Sequence, residues 1–423
     1  MTDPLTGLGT RLRLEDKIAR LIGKRQSDPA PFAIAVVDLD GFKPINDLYG
    51  RSAGDGILKQ AALRLRAALD DTSTVTRTGS DEFTILSPFI FSAKAAERLA
   101  HTLVAVLSAP YDIGARTVRL TASVGSAIYD DACETASQLI AKAETALYQA
   151  RRTGRNRVVV YSRELVEAAQ SVTRIEQALR RAVSSGEVEP HFQPIVEMRT
   201  GRILGFEALA RWRDADLGVI SPGVFIPIAE ERGIMPDLSR LLLIKSAETA
   251  RNWPDPLFLS FNLSSEQLID ASTAGEVIAI ADRVGFDPKR LEIEITETGL
   301  MTMPETAASI IAEFKDAGVR IALDDFGTGQ SSLGRLREFP FDKLKIDRSF
   351  VSGLLSDRAS EHIVRAILAM CTGLGIEAVA EGIEEKAQAA RLDKFGCLLG
   401  QGYLYGRAVS ARAATERVAK PLS

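Results

Sequence analysis

Apolar positions in the first part of the chain switch between two periods. Leu12, Leu14, Ile18, Leu21 and Ile22 recur at helical spacing, which predicts an amphipathic helix over 11–22. Residues 32–39 (FAIAVVDL) form a β-branched apolar run that ends on an acid, the pattern of a buried strand. Residues 54–69 read as helix, 118–129 as strand and 136–152 as helix again. Two short apolar stretches, 75–77 and 82–86, flank Thr78-Gly79-Ser80-Asp81, the composition of a hairpin tip. Helices and hairpin strands mixed in this way predict an α+β domain over 1–162. Over 163–185, Leu165, Ala169, Val172, Ile175, Leu179 and Val183 recur every three or four residues among charges, which predicts one connecting helix. It packs against its neighbour or passes a signal between domains; the spacing fits both.

Beyond 186 the pattern becomes serial. Strand runs at 203–208, 258–262, 291–296, 320–323, 343–346 and 377–380 are separated by helical stretches such as 304–317 and 360–374. Repeated β/α units over 186–423 predict an α/β domain, a TIM-like (β/α)8 barrel. Many of these strands end on a polar residue: Glu207, Asn262, Glu294, Asp324, Lys345 and Glu381. In such barrels the strand C-termini open on one mouth, where active sites sit. One acid at a strand end is an ordinary cap or solvated loop residue. Five oxygen donors and a lysine on one rim call for chemistry, and adjacent Asp324-Asp325 call for a cation.

Composition narrows that chemistry. The chain has 423 residues, 46% hydrophobic and 26% charged, the balance of folded domains. A net charge of −4 argues against a nucleic acid polymer as partner, while leaving small anions open. Three scattered cysteines and three scattered histidines offer no zinc-ligand spacing, so any metal is expected on carboxylates: magnesium, manganese or calcium. With no signal core and no apolar run long enough to span a bilayer, a cytoplasmic location is expected.

The motifs on the rim resemble one family. Glu207-Ala208-Leu209 with Arg211, Gln193-Pro194-Ile195-Val196, Asn262-Leu263-Ser264, Glu294-Ile295-Thr296-Glu297, Asp324-Asp325-Phe326-Gly327-Thr328-Gly329, Lys345-Ile346-Asp347, Glu381-Gly382-Ile383-Glu384 and Gln401-Gly402-Tyr403 are similar to those of the EAL cyclic di-GMP phosphodiesterases, over 188–410. The resemblance implies hydrolysis of cyclic di-GMP to linear pGpG with two Mg2+ or Mn2+ ions. Glu207, Asn262, Glu294 and Asp324 would hold one ion. Asp324 would bridge to the second, completed by Asp325 and Glu381. Lys345 would orient or deprotonate the attacking water, and Glu297 would hold the 325–329 loop. Arg211 would meet a phosphate, and Gln193, Leu209, Asp347 and Gln401 would line the dinucleotide site. Gln330, where Tyr is frequent, and Gly406-Arg407-Ala408, where Pro is frequent, depart from the pattern without removing a ligand.

Residues 3–161 resemble the GGDEF diguanylate cyclases through Asp3-Pro4-Leu5-Thr6-Gly7-Leu8, Asp38-Leu39-Asp40, Phe42-Lys43, Asn46-Asp47 and Gly79-Ser80-Asp81-Glu82-Phe83. That resemblance implies magnesium on Asp38 and Asp81, with Glu82 as the second acid of the pair. It also implies guanine recognition by Asn46 and Asp55, phosphate contacts from Lys43, Arg151 and Arg155, and close approach of the nucleotide at Gly79. Ser80 replaces the family's second glycine, and its Cβ is expected to crowd the phosphates or strain the turn. The product-inhibition motif is absent, its positions falling on Asp70 and Ser73. Three readings of this half stay open: a GTP-binding regulator, a working cyclase in a bifunctional enzyme, and a structural relic. A homodimer is expected, because cyclisation needs two GTP-loaded sites. A non-catalytic cyclic di-GMP receptor is the alternative for the barrel, and regulation by GTP, a partner or a longer parent chain is expected.

Overall fold

The strand Phe32–Asp40 sits in the middle of the first sheet because eight of its nine residues are buried, leaving no face for water. The structure, a computed structural model, describes residues 2–24, 31–114, 116–130, 133–326 and 338–419. By contact density the chain divides between Gln170 and Ser171 into two units. That division falls inside one continuous helix, Arg163–Ser185.

In the first unit, Phe32–Asp40 pairs antiparallel with Glu82–Pro88 on one side and Thr121–Ile128 on the other, in a six-stranded sheet. The expected hairpin is Thr74–Arg77 with Glu82–Pro88. Two apolar clusters cover the sheet's two faces. One contains Val37, Phe83, Leu103 and Tyr111 and the other Ile34, Leu139, Ile140 and Leu147. The helix Ala136–Arg152 starts with a capping box in which Thr135 and Gln138 bond each other's backbone amides. It lies so close to the sheet that a Cβ on Gly125 would stand 2.1 Å from the Leu147 nitrogen. The helices Phe42–Tyr49 and Ala93–Leu107 were not evident from periodicity.

The second unit closes an eight-stranded barrel. Ile203–Asp214, Phe258–Leu263, Leu291–Thr296, Arg320–Phe326, Lys343–Ile346, Glu377–Ala380 and Leu399–Gly400 run parallel. Glu189–Glu197 closes the ring antiparallel to both of its neighbours. The expected TIM-like barrel is present with one strand reversed, whose sequence Glu-Pro-His-Phe-Gln-Pro lacks the apolar run of the others. The inner part of Arg163–Ser185 (Ile175, Ala178, Leu179 and Ala182) is buried in the apolar cluster of this unit. Among the described residues no helix is long and apolar enough to cross a membrane.

Side chains two residues apart on a strand share a face. In this barrel the inward face is charged and the outward face, under the helices, is apolar. Ile293 and Ile295 face the helices, while Glu292 and Glu294 alternate with them and are buried. Lys343 and Lys345 alternate in the same way with Leu344 and Ile346.

Candidate active site

Four strand ends and the middle of a fifth strand, Ile203–Asp214, which runs on past Glu207 where the sequence suggested it would stop, bring polar residues to one point with Lys345 at its centre. Its Nζ lies 2.7 Å from Glu294 Oε2 and 2.7 Å from Glu381 Oε1. Glu207 Oε1 and Asp324 Oδ1 follow at 3.6 Å each. The remaining oxygens of the buried carboxylates are also occupied. Asn262 Nδ2 and Gln401 Nε2 donate to the two oxygens of Glu207 at 2.7 and 2.6 Å, and Ser260 Oγ donates to Glu294 at 2.6 Å.

One ammonium faces four carboxylates, and burial sets them apart from one another. Desolvation and the Glu207 charge push Glu294 well above the usual carboxylate range, against the pull of Lys345. Burial also raises Glu381, to about 8, with Lys345 opposing. Burial alone would raise Glu207 too, but Lys345 and its two amide donors hold it below the ordinary value. Lys345 is desolvated as well, yet the charges of Glu207, Glu294, Glu381 and Asp324 keep its ammonium well above the usual lysine range. In this arrangement the ammonium is a hydrogen-bond donor shared among the four carboxylates.

Among the described residues no three His, Cys, Asp or Glu side chains stand ready-made as metal ligands; the carboxylates close on Lys345 instead. The donor set nevertheless suits a hard divalent ion. It consists of carboxylate and amide oxygens only, and it carries more negative charge than one lysine neutralises. Strand pairing is irregular where the two aspartates lie: Leu323 faces Leu344 and Phe326 faces Ile346, so three steps on one strand match two on the other. A bulge of this kind re-aims side chains beside a site. The side chain of Asp325, the 327–329 loop and Gln330 lie outside the described residues, and with them the expected hold of Glu297 on that loop. Glu297 itself opens the short helix Glu297–Thr302.

Above the cluster lies a cavity of about 260 Å3 lined by Gln193, Leu209, Asp324, Lys345, Glu381 and Gln401, together with Arg348 and Tyr403. Arg211 does not line it; its guanidinium bonds the Ala210 carbonyl at 2.7 Å. Asp347 does not line it either, because it caps the helix Arg348–Gly353 through the Ser349 amide at 2.9 Å. Arg348 is the residue sequence reasoning missed. It pairs with Glu384 at 3.0 Å across the rim, and it lies so near Gly382 that a Cβ there would stand 2.3 Å from its side chain. The signal was its position directly after Lys345-Ile346-Asp347, beside a motif glycine that the structure holds at φ +67°.

The first unit holds a second cleft, of about 640 Å3, lined by Asp38, Lys43, Asp81, Arg151 and Arg155 among others. Arg151 is ion-paired to Asp38 inside it, while burial raises the Asp38 carboxyl. Asn46, Asp55, Gly79 and Glu82 lie off this lining. Asn46 packs against Gly54, where a Cβ would meet its Oδ1, and Asp55 is exposed on the helix Arg51–Ala67. Glu82 Oε1 accepts from Thr78 Oγ1 at 2.8 Å. Ser80 does not strain the hairpin as expected: it is exposed, and neither it nor Gly79 has a positive φ. Its hydroxyl donates to Asp81 Oδ1 at 2.6 Å.

Comparison with known proteins identifies both units. The EAL domain model matches residues 176–408, and the diguanylate cyclase GGDEF domain model matches residues 1–157. The bifunctional diguanylate cyclase/cyclic di-GMP phosphodiesterase MucR of Pseudomonas aeruginosa is 36% identical over 99% of this chain and 61% of its own length. The cyclic di-GMP phosphodiesterase NbdA of the same organism is 34% identical over 98% of this chain and 53% of its own length. The solved structure of the PaMucR phosphodiesterase in complex with c-di-GMP is 35% identical, covers 57% of this chain and 99% of its own, and superposes with a TM-score of 0.55. The chain spans about half to three fifths of the length of the curated relatives it matches first. With one family model covering more than half of its residues, the chain belongs to the EAL domain family and carries a GGDEF domain ahead of its EAL domain.

Proposed function

We propose that the barrel hydrolyses cyclic di-GMP to linear pGpG with two divalent ions, Mg2+ or Mn2+, and that the GGDEF domain binds GTP and regulates it. The observation that carries this is the surplus of buried and half-buried carboxylates around Lys345, in a family whose named relatives include cyclic di-GMP phosphodiesterases. Glu207, Asn262, Glu294, Asp324, Asp325 and Glu381 would hold the ions. When bound, these would polarise a phosphodiester and lower the pKa of the attacking water.

The chain's own groups supply the rest. Lys345 sits beside Asp324 and Glu381, where it would orient the attacking water and stabilise charge growing on the phosphate. Gln401 and Asn262 hold the Glu207 carboxylate in one orientation. Leu209 gives the cavity an apolar wall, and Arg348 and Tyr403 at the rim offer a cation and a ring for the dinucleotide. Arg211 and Asp347 would reach substrate only by leaving their present partners. The test is Asp324→Asn with Mg2+ or Mn2+. A fall in cyclic di-GMP hydrolysis of at least about a hundredfold is expected, the scale of several kcal/mol of lost transition-state stabilisation. Turnover at the parent rate would overturn the assignment.

A bifunctional enzyme is the second reading, favoured by the intact Asp81-Glu82 pair beside the Asp38 cleft. Incubating a Glu207→Ala variant with GTP and Mg2+ separates the two. Accumulating cyclic di-GMP makes the first unit a cyclase, whereas GTP binding without turnover makes it a regulator. Sedimentation with GTP tests the homodimer that a cyclase requires.

A further inference from the structure

A cavity larger than the candidate active site lies at the wrong end of the barrel for the proposed hydrolysis. It measures about 810 Å3, against about 260 Å3 for the candidate active site. Ile203, Phe258, Arg320, Lys343, Glu377 and Leu399 all border it, and each is the first residue of its barrel strand. The cavity is therefore the N-terminal mouth, opposite the mouth where Glu207, Asp324 and Glu381 meet.

Its walls are mainly apolar, from Leu204, Pro254, Pro256, Leu257 and Val418, and a few charges converge on them. Four basic side chains, Arg202, Arg320, Lys343 and Arg417, stand against two acids, Asp255 and Glu377. Asp255 is already paired with Arg290 at 3.0 Å. Lys343 is fully buried, with Nζ 2.7 Å from Glu292 Oε2 and 3.7 Å from the Phe258 ring centroid. Lys343 is thus ion-paired to Glu292, whereas the buried Arg320 Nε has no hydrogen-bond partner. Arg320 lies 4.4 Å over the same ring, and its Nε is 3.8 Å from Glu292. Two cations stacked on one phenyl ring at the floor of an apolar chamber share only the Glu292 carboxylate and leave the Arg320 Nε donor unused, so they are poised for an incoming acceptor. Buried donors without acceptors are rare in folded proteins, and apolar chambers with a few convergent polar groups are the usual form of small-molecule sites.

We propose that the N-terminal mouth of the barrel is a second ligand site, for a small amphiphilic anion: an apolar or aromatic body bearing one carboxylate, sulfonate or phosphate. The acidic group meets Arg320 and Lys343, and the body lies against Leu204, Leu257 and Phe258.

The test uses the full chain and the fluorescent probe 8-anilinonaphthalene-1-sulfonate, beside its uncharged counterpart N-phenyl-1-naphthylamine. Saturable binding of the sulfonate is expected, unaffected by saturating cyclic di-GMP. Arg320→Gln should weaken the sulfonate by about tenfold, the loss of one charge-assisted contact, and leave the neutral dye unchanged. Leu204→Trp, which fills the chamber, should abolish both; cooperative melting of each variant confirms that it is folded. Sulfonate binding indifferent to both substitutions overturns the proposal. Displacement by cyclic di-GMP also overturns it, by placing the dye at the other mouth. Equal weakening of both dyes by Arg320→Gln rejects the anion as the recognised group.

Discussion

Lys345 shows how one residue can report the charge state of a site. Four carboxylates share its ammonium, so in the metal-free protein some of them keep their protons near neutrality; Glu381 holds its proton up to about 8. A divalent ion must displace those protons. Affinity for Mg2+ or Mn2+ is therefore expected to rise as pH goes from about 6 to about 9, with proton release below the Glu381 value. Titrating the metal into stripped protein in two buffers of different ionisation enthalpy measures the released protons; a pH-independent affinity with no release would contradict this ordering. Ser80 makes the opposite point. From sequence it looked like a strained replacement for glycine, but its backbone needs no left-handed conformation and its side chain is exposed. Ser80→Gly is expected to change stability by no more than about 0.5 kcal/mol in denaturant titration. A larger gain would show strain that the backbone does not express.

Elements were legible where apolar residues alternated regularly along a short run. The strands Leu291–Thr296, Lys343–Ile346 and Glu377–Ala380 fall where the pattern put them. The antiparallel Glu189–Glu197 was not legible, because two prolines and a histidine interrupt its apolar residues. Charged alternation in Leu-Glu-Ile-Glu-Ile and Lys-Leu-Lys-Ile was present in the sequence but has two physical readings, a solvated face or a barrel lumen. Only ring closure decides between them. Helix-on-sheet contact in the first unit is tight enough to test. Gly125→Ala would place a methyl 2.1 Å from the Leu147 nitrogen and 2.2 Å from the Ala143 carbonyl. Backbone atoms cannot yield as side chains do, so a loss of at least about 1–3 kcal/mol is expected from its chemical denaturation midpoint. A neutral result would mean that the helix Ala136–Arg152 can lift off its strand.

Across the whole molecule, family was more legible than geometry. Motif residues named the rim, whereas the roles of Arg211 and Asp347 depended on partners that sequence does not display. All three cysteines are free and buried, and burial pushes the thiols of Cys371 and Cys397 up to about 11 and about 12. Native protein is therefore expected to react with a thiol reagent only slowly at pH 8, and to show three thiols once denatured. Rapid labelling of the native chain would reveal an opening that the structure does not contain. The last consequence comes from Ser260, whose hydroxyl lies 2.6 Å from Glu294 and 3.3 Å from Glu292 and so touches both charged layers of the lumen. For anyone redesigning this barrel, the layers are not equivalent. Glu294 and Lys345 belong to the proposed chemistry, but Glu292 and Lys343 form a buried ion pair that apolar residues of like volume could replace. The joint change Glu292→Leu with Lys343→Met is expected to be neutral or stabilising, whereas Lys343→Met alone should cost about 3–5 kcal/mol. If the double variant keeps its hydrolysis but loses the sulfonate dye, the lower layer serves binding rather than folding.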